Sequence, residues 1–152
     1  MPNPSKQFFY DSIYKEIAKL HFERVLDFAC GRMGFLDYFK PKHYLGIDID
    51  LERLKLGKKN NPQANYLNIN INDLDLQEKK YDLVLCFETI AINKSFKIED
   101  TEQTLTKMSN STLKEGDLLL NFSCISQNYE KKILDLLLKK NFKLVKKKYY
   151  GT

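Results

Sequence analysis

The chain has 152 residues, 43% of them hydrophobic and 30% charged, with a formal net charge of +5. That length suits one domain, here residues 1–152, with a core of its own, and that balance excludes disordered and fibrous classes. No run approaches the roughly 20 apolar residues of a membrane span, and the start, Met1 to Lys6, lacks the apolar stretch of a secretory signal, so a cytoplasmic protein with no membrane span is expected.

Phe9, Ile13, Ile17 and Leu20 recur at helical spacing and predict a helix over 5–21. Arg24 to Ala29 is a short apolar run that enters Cys30-Gly31-Arg32-Met33-Gly34, the pattern of a buried strand ending in a glycine-bearing turn. Phe35 to Phe39 allows a short helix before Pro41. His43 to Ile49 is a second strand. Asp50 is placed to cap a helix through Leu51, Leu54 and Lys58, which Asn60, Asn61 and Pro62 stop. Residues 64–71 alternate as a third strand, and 81–87, almost wholly apolar, form a fourth. A polar loop over 89–99 leads to a helix over 100–113, with Leu105, Met108 and Leu113 inward. Gly116 stands just past its end, where a left-handed residue is expected. Leu118 to Ser123 is a fifth strand, 127–140 an amphipathic helix through Ile133, Leu134, Leu137 and Leu138, and 142–149 a final strand.

Strands alternating with helices predict an α/β fold: a doubly wound, mostly parallel sheet of order 3-2-1-4-5 plus strand 6, with helices on both faces. Ligands of such sheets bind beyond the carboxyl ends of the strands, where the strand order reverses. The turn from Asp27 to Gly34 lies there, and its small residues let a ligand approach the backbone. About 20 residues on, Gly46-Ile47-Asp48 ends the next strand in a carboxylate suited to ribose hydroxyls. Together, in this order and spacing, the two features point to an adenosine-containing cofactor. The turn is not G-x-G-x-x-G, and its leading carboxylate, Asp27, suits a cationic, amine-bearing ligand better than a pyrophosphate. With no Walker A sequence either, dinucleotides and nucleoside triphosphates are set aside.

Val25-Leu26-Asp27-Phe28-Ala29-Cys30-Gly31, then Tyr44 to Asp50, then Tyr81 to Glu88 resemble the class I S-adenosylmethionine-dependent methyltransferases. The resemblance covers roughly residues 5–145, with its specific motifs inside 25–90. It implies S-adenosylmethionine as cofactor, S-adenosylhomocysteine as product, and methyl transfer by in-line displacement. By the same resemblance, Asp27, Ala29 and Gly31, with Cys30 among them, match the turn that holds the methionine part. Asp48, followed by Ile49, matches the ribose-binding position. Asn70 and Ile71 fall where the family places an acidic residue and a backbone amide beside the adenine, with Asp73 the substitute under a shifted register. Phe87 and Glu88 match the end of strand four, which flanks the cofactor and faces the acceptor. Three positions depart from the pattern: Ala29 and Met33 stand where the family has glycine, and Asn70 replaces a carboxylate.

Methyl transfer from a sulfonium needs alignment and exclusion of water more than a base. The histidine that many small relatives carry after strand four is missing, so Glu88 is the expected catalytic group, contacting or deprotonating the acceptor. A purely structural carboxylate is its competing role. Tyr10, Tyr14, Asn93, Lys94 and Ser95 are further candidates to line the acceptor site, and His21 and His43 belong at the opposite end of the sheet.

Without a long lid insertion or an added RNA-binding domain, the expected acceptor is a small molecule: a sugar, a lipid- or nucleotide-linked intermediate, or a metabolite. The lysines from Lys131 to Lys148 keep RNA as a second acceptor class. A non-catalytic S-adenosylmethionine-binding or interaction module is the rival from another class. Cys30, Cys86 and Cys124 follow or end neighbouring strands; as a trio they would suit a metal, but apolar filling is the plainer role and no metal is expected. The sequence through Thr152 leaves nothing for the family's seventh strand, so the edge beside strand five is expected to be covered by strand six, by its own lysines, or by a partner subunit in a homodimer.

Overall fold

The computed structural model describes residues 4–75, 80–91, 98–123 and 127–146. Its elements run α1 (Pro4–Ala18), β1 (Arg24–Phe28), β2 (His43–Asp48), α2 (Leu51–Asn60), β3 (Asn65–Asn68), β4 (Tyr81–Ala91), α3 (Ile98–Ser111), β5 (Thr112–Ser123) and α4 (Gln127–Lys139), with 3-10 turns at Gly34–Asp37 and Ile71–Asp73. The sheet has the order β3-β2-β1-β4-β5 and every pairing is parallel, as the βα alternation requires.

Alternation along β1 divides the core in two. Leu26 and Phe28 face one side with Ile47, Val84, Cys86, Leu105, Met108 and Ile133, under α3 and α4. Val25 faces the other with Tyr44, Leu83, Leu85, Met33, Leu54 and Ile17, under α1 and α2. The N-terminal ends of β1 and β4 are locked by Asp82, whose two carboxylate oxygens accept the Glu23 and Arg24 amides at 2.9 Å each.

Three expectations need correction. The helix before β5 stops at Ser111 with no glycine cap: the Ser111 hydroxyl donates to the Lys107 carbonyl at 2.8 Å and Thr112 to that of Met108 at 2.7 Å, so its last carbonyls are already satisfied. Leu113 is accordingly exposed. Gly116 lies inside β5, where any Cβ would come within 3.0 Å of the Tyr81 carbonyl oxygen. Finally, residues 142–146 form no strand. Left-handed Asn141 (φ 67°) closes α4 with a bond from the Phe142 amide to the Leu137 carbonyl, and Lys146 reaches Glu16 of α1 at 3.0 Å. The rest of that expected strand lies outside the described residues.

Candidate active site

The chain leaves β1 through three left-handed residues: Ala29 (φ 56°), Gly31 (φ 51°) and Met33 (φ 59°). This explains why glycine belongs at 29 and 33: L-residues adopt that conformation at a cost of roughly 1–2 kcal/mol each. The Met33 side chain turns wholly into the core beneath α2. Its bulk therefore stays out of the turn's mouth, and the short helix expected at 35–39 is a 3-10 turn that starts directly after it.

The turn is tied to the end of β2. The Gly31 amide donates to Asp48 Oδ2 at 2.8 Å, and the Asp50 amide to Asp48 Oδ1 at 2.8 Å. The Cys30 amide donates to the Ile47 carbonyl at 3.1 Å. Asp48 is thus oriented by two amides while its carboxylate retains further lone pairs. Ile49 beside it is 72% exposed, and Asn68 from β3 donates its amide to the carbonyls of Asp48 and Ile49 at 3.0 and 2.9 Å.

Beneath the turn, Asp27 is buried and accepts the Tyr44 hydroxyl at 2.7 Å. Burial pushes its carboxyl up to about 7; the Tyr44 bond opposes this shift and the charge of Asp48 adds to it. Burial likewise raises the Tyr44 phenol, keeping it a donor, and raises the Cys30 thiol, with Asp27 and Asp48 adding to that effect. Sequence reasoning missed Tyr44. The signal was Gly46, which pairs with Asp27 in register and has no side chain. The space it leaves is filled by Cys30 Sγ, only 2.6 Å from where a Cβ would stand, and by the Tyr44 ring.

Past β3, Asn70 Oδ1 accepts the Asn72 amide at 2.9 Å and opens the 3-10 turn that carries Ile71. The Ile71 amide donates to no group among the described residues. Asp73 sits exposed within the same turn.

At the far side, β4 and β5 pair regularly from Leu83↔Asp117 to Cys86↔Leu120 and resume at Ile90↔Phe122, so Phe87, Glu88 and Thr89 face Asn121 alone. Bulges of this kind re-aim side chains at the ends of sheets. Phe87 meets Tyr10 and Tyr14 edge-on, with centroids 5.4 and 5.5 Å apart, and the Asn121 amide donates to the Tyr10 hydroxyl at 2.8 Å. α1 is therefore anchored over the end of β4 by aromatic rings. Asn121, also unforeseen, was legible as the one polar break in Leu118-Leu119-Leu120-Asn121-Phe122.

The Glu88 side chain, Asn93, Lys94, Ser95 and Cys124 lie outside the described residues. Cys86 is sealed in the core away from Cys30, and no group of three metal-binding side chains occurs among the described residues. His43 opens β2 and His21 precedes β1, at the end of the sheet opposite the turn.

A family model described as a methyltransferase domain matches residues 25–116, more than half of the chain. The chain belongs to the class I S-adenosylmethionine-dependent methyltransferase family. No curated protein sequence matches it significantly. Solved structures of similar fold include NodS, an N-methyltransferase from Bradyrhizobium japonicum WM9 in complex with S-adenosylhomocysteine. It is 11% identical with TM-score 0.73, over 91% of this chain and 76% of that one. Magnesium protoporphyrin IX methyltransferase from Synechocystis PCC 6803, with bound S-adenosylmethionine, is 18% identical with TM-score 0.74, over 97% of this chain and 74% of that one. The amino pentose methyltransferase CalS10 from Micromonospora echinaspora is 21% identical with TM-score 0.63, over 81% of this chain and 52% of that one. At these identities the likeness speaks for the fold of this methyltransferase domain. The domain spans only 56% and 64% of the length of two further matched chains. No helix among the described residues is long and apolar enough to cross a membrane.

Proposed function

We propose that this domain transfers the methyl group of S-adenosylmethionine to a small acceptor. The observation that carries the reading is the pair of amide bonds to Asp48, which joins the β1 turn and the end of β2 into one anionic rim. The donor set fits the cofactor. Asp48, beside Ile49, has lone pairs for ribose hydroxyls; Asn70 offers a carboxamide and Ile71 an unengaged amide for the adenine. Asp27, beneath Ala29, Cys30 and Gly31, supplies negative charge for the methionine end once ionised. When bound, the sulfonium supplies an activated methyl group. The protein's part is to align the acceptor over it and exclude water, with the bulge at Phe87 and Glu88 and the rings of Tyr10 and Tyr14 as the acceptor wall.

Neighbours of this fold act on an amino pentose and on magnesium protoporphyrin IX, which supports a small ring-bearing acceptor such as a sugar or a linked intermediate. A second reading, an RNA acceptor, rests on charge. Lys131, Lys132, Lys139, Lys140 and Lys143 pair with no carboxylate among the described residues. They would engage phosphates, and their segment continues to Lys146, which pairs with Glu16 of α1. β5, at the edge of the described sheet, is the proposed dimer contact, and a monomeric mass at high concentration would remove it. Incubation with labelled S-adenosylmethionine and an amino sugar, a porphyrin or RNA separates these readings. Steady S-adenosylhomocysteine release with a small acceptor supports the first, transfer to RNA alone supports the second, and binding without turnover on any acceptor indicates a non-catalytic module.

A further inference from the structure

The 70–74 turn is held from behind by a residue remote in sequence. Lys107, half-buried on α3, donates from its ammonium to the Asn72 carbonyl and to the Leu74 carbonyl, each at 2.5 Å. It pairs with no carboxylate among the described residues, so its charge is spent on these two backbone oxygens. The packing of α3 does not depend on it, because Leu105 and Met108 already seat the helix against Leu74 in the core. The turn's own bonds are few: Asp73 amide to Asn70 carbonyl, Leu74 amide to Ile71 carbonyl, and Asn72 amide to Asn70 Oδ1. The conformation even leaves Asn72 Oδ1 buried without a partner, which local bonding alone would not select. Lys107 takes the Asn72 and Leu74 carbonyls and leaves the Ile71 amide, the Asn70 Nδ2 group and one remaining lone pair of Asn70 Oδ1 for a ligand.

We propose that Lys107 is a positioning residue for purine recognition: by clamping the Asn72 and Leu74 carbonyls it fixes the turn so that Asn70 and Ile71 read the adenine edge. The inference rests on the proposed cofactor site and adds the element that sets its selectivity for adenine over other purines. Hydrogen bonds to a charged donor are the strong kind, and two from one ammonium fix orientation as well as distance.

The test compares S-adenosylhomocysteine with S-inosylhomocysteine, which carries a keto group in place of the adenine amine, by calorimetric titration. The wild type should prefer the adenine ligand, and Lys107→Met should cut that preference at least fivefold, beyond any common loss of affinity. Lys107→Arg, which keeps two donors, should restore most of it. Lys107→Gln, with one short amide, should fall between and serves if the methionine variant does not fold. A merely structural lysine would weaken both ligands by the same factor, so an unchanged ratio in Lys107→Met or Lys107→Gln overturns the proposal. Absence of wild-type binding to either ligand would instead overturn the cofactor reading itself.

Discussion

On the β1–β2 side of the site, Asp48 collects two backbone amides and Asp27 the Tyr44 hydroxyl, all within a few residues of two paired strand ends. On the β4–β5 side the register slips, and the wall is made by Phe87, Tyr10 and Tyr14, with Asn121 reaching Tyr10 across 111 positions of sequence. The first half is a buried polar network with carboxylates at its centre; the second is an aromatic contact between a helix and the end of a sheet. A cofactor common to a whole family can be met by backbone geometry and a few fixed carboxylates, whereas an acceptor has to be met by side chains drawn from distant elements.

The largest expected effect probes the buried carboxylate. With Asp27 pushed up to about 7 from the ordinary value of 3.8, the ligand-free fold is favoured by its protonated form. That stability is fully present below the unfolded value and is lost as pH rises through 7, by up to about 4 kcal/mol. Urea midpoints between pH 4 and 8 should fall in the wild type and stay nearly level in Asp27→Asn. Equal slopes would show that Asp27 does not titrate in this window. Affinity for the cationic cofactor should rise over the same range as the carboxyl ionises.

Next comes the space beside Asp27. Gly46→Ala drives a Cβ into Cys30 Sγ and should cost about 1–3 kcal/mol, read as a lower melting temperature. Adding Cys30→Ala should recover most of the loss, and strict additivity of the two would refute the contact. The smallest effect is a gain: Ala29→Gly relieves a left-handed alanine and should stabilise by about 0.5–1 kcal/mol. No comparable gain is expected on the β4–β5 side, where none of the described residues has a left-handed backbone.

The contrast also explains what the sequence made legible. Apolar runs bounded by turn residues marked β1, β2 and β4, and Asp50 caps α2 by accepting the Arg53 amide at 3.0 Å. Asp27, Gly31 and Asp48 were readable because their spacing follows directly from strand–turn–strand geometry. The left-handed backbone at Ala29 and Met33 was not, since nothing local to either residue favours it. Tyr44, Asn121 and Lys107 were missed for another reason: each matters through a partner that only the sheet register or helix packing brings near. The end of α3 was misjudged because Ser111 and Thr112 hydroxyls replaced the expected glycine, and the last strand because Asn141 and Lys146 turned the chain elsewhere.

Calorimetric titration of S-adenosylhomocysteine into the wild type and Asp48→Ala tests the shared rim most directly. The variant should bind about 5–150-fold more weakly, the 1–3 kcal/mol expected when polar partners lose their acceptor. A wild type that does not bind, or a variant whose dissociation constant is unchanged, would contradict it.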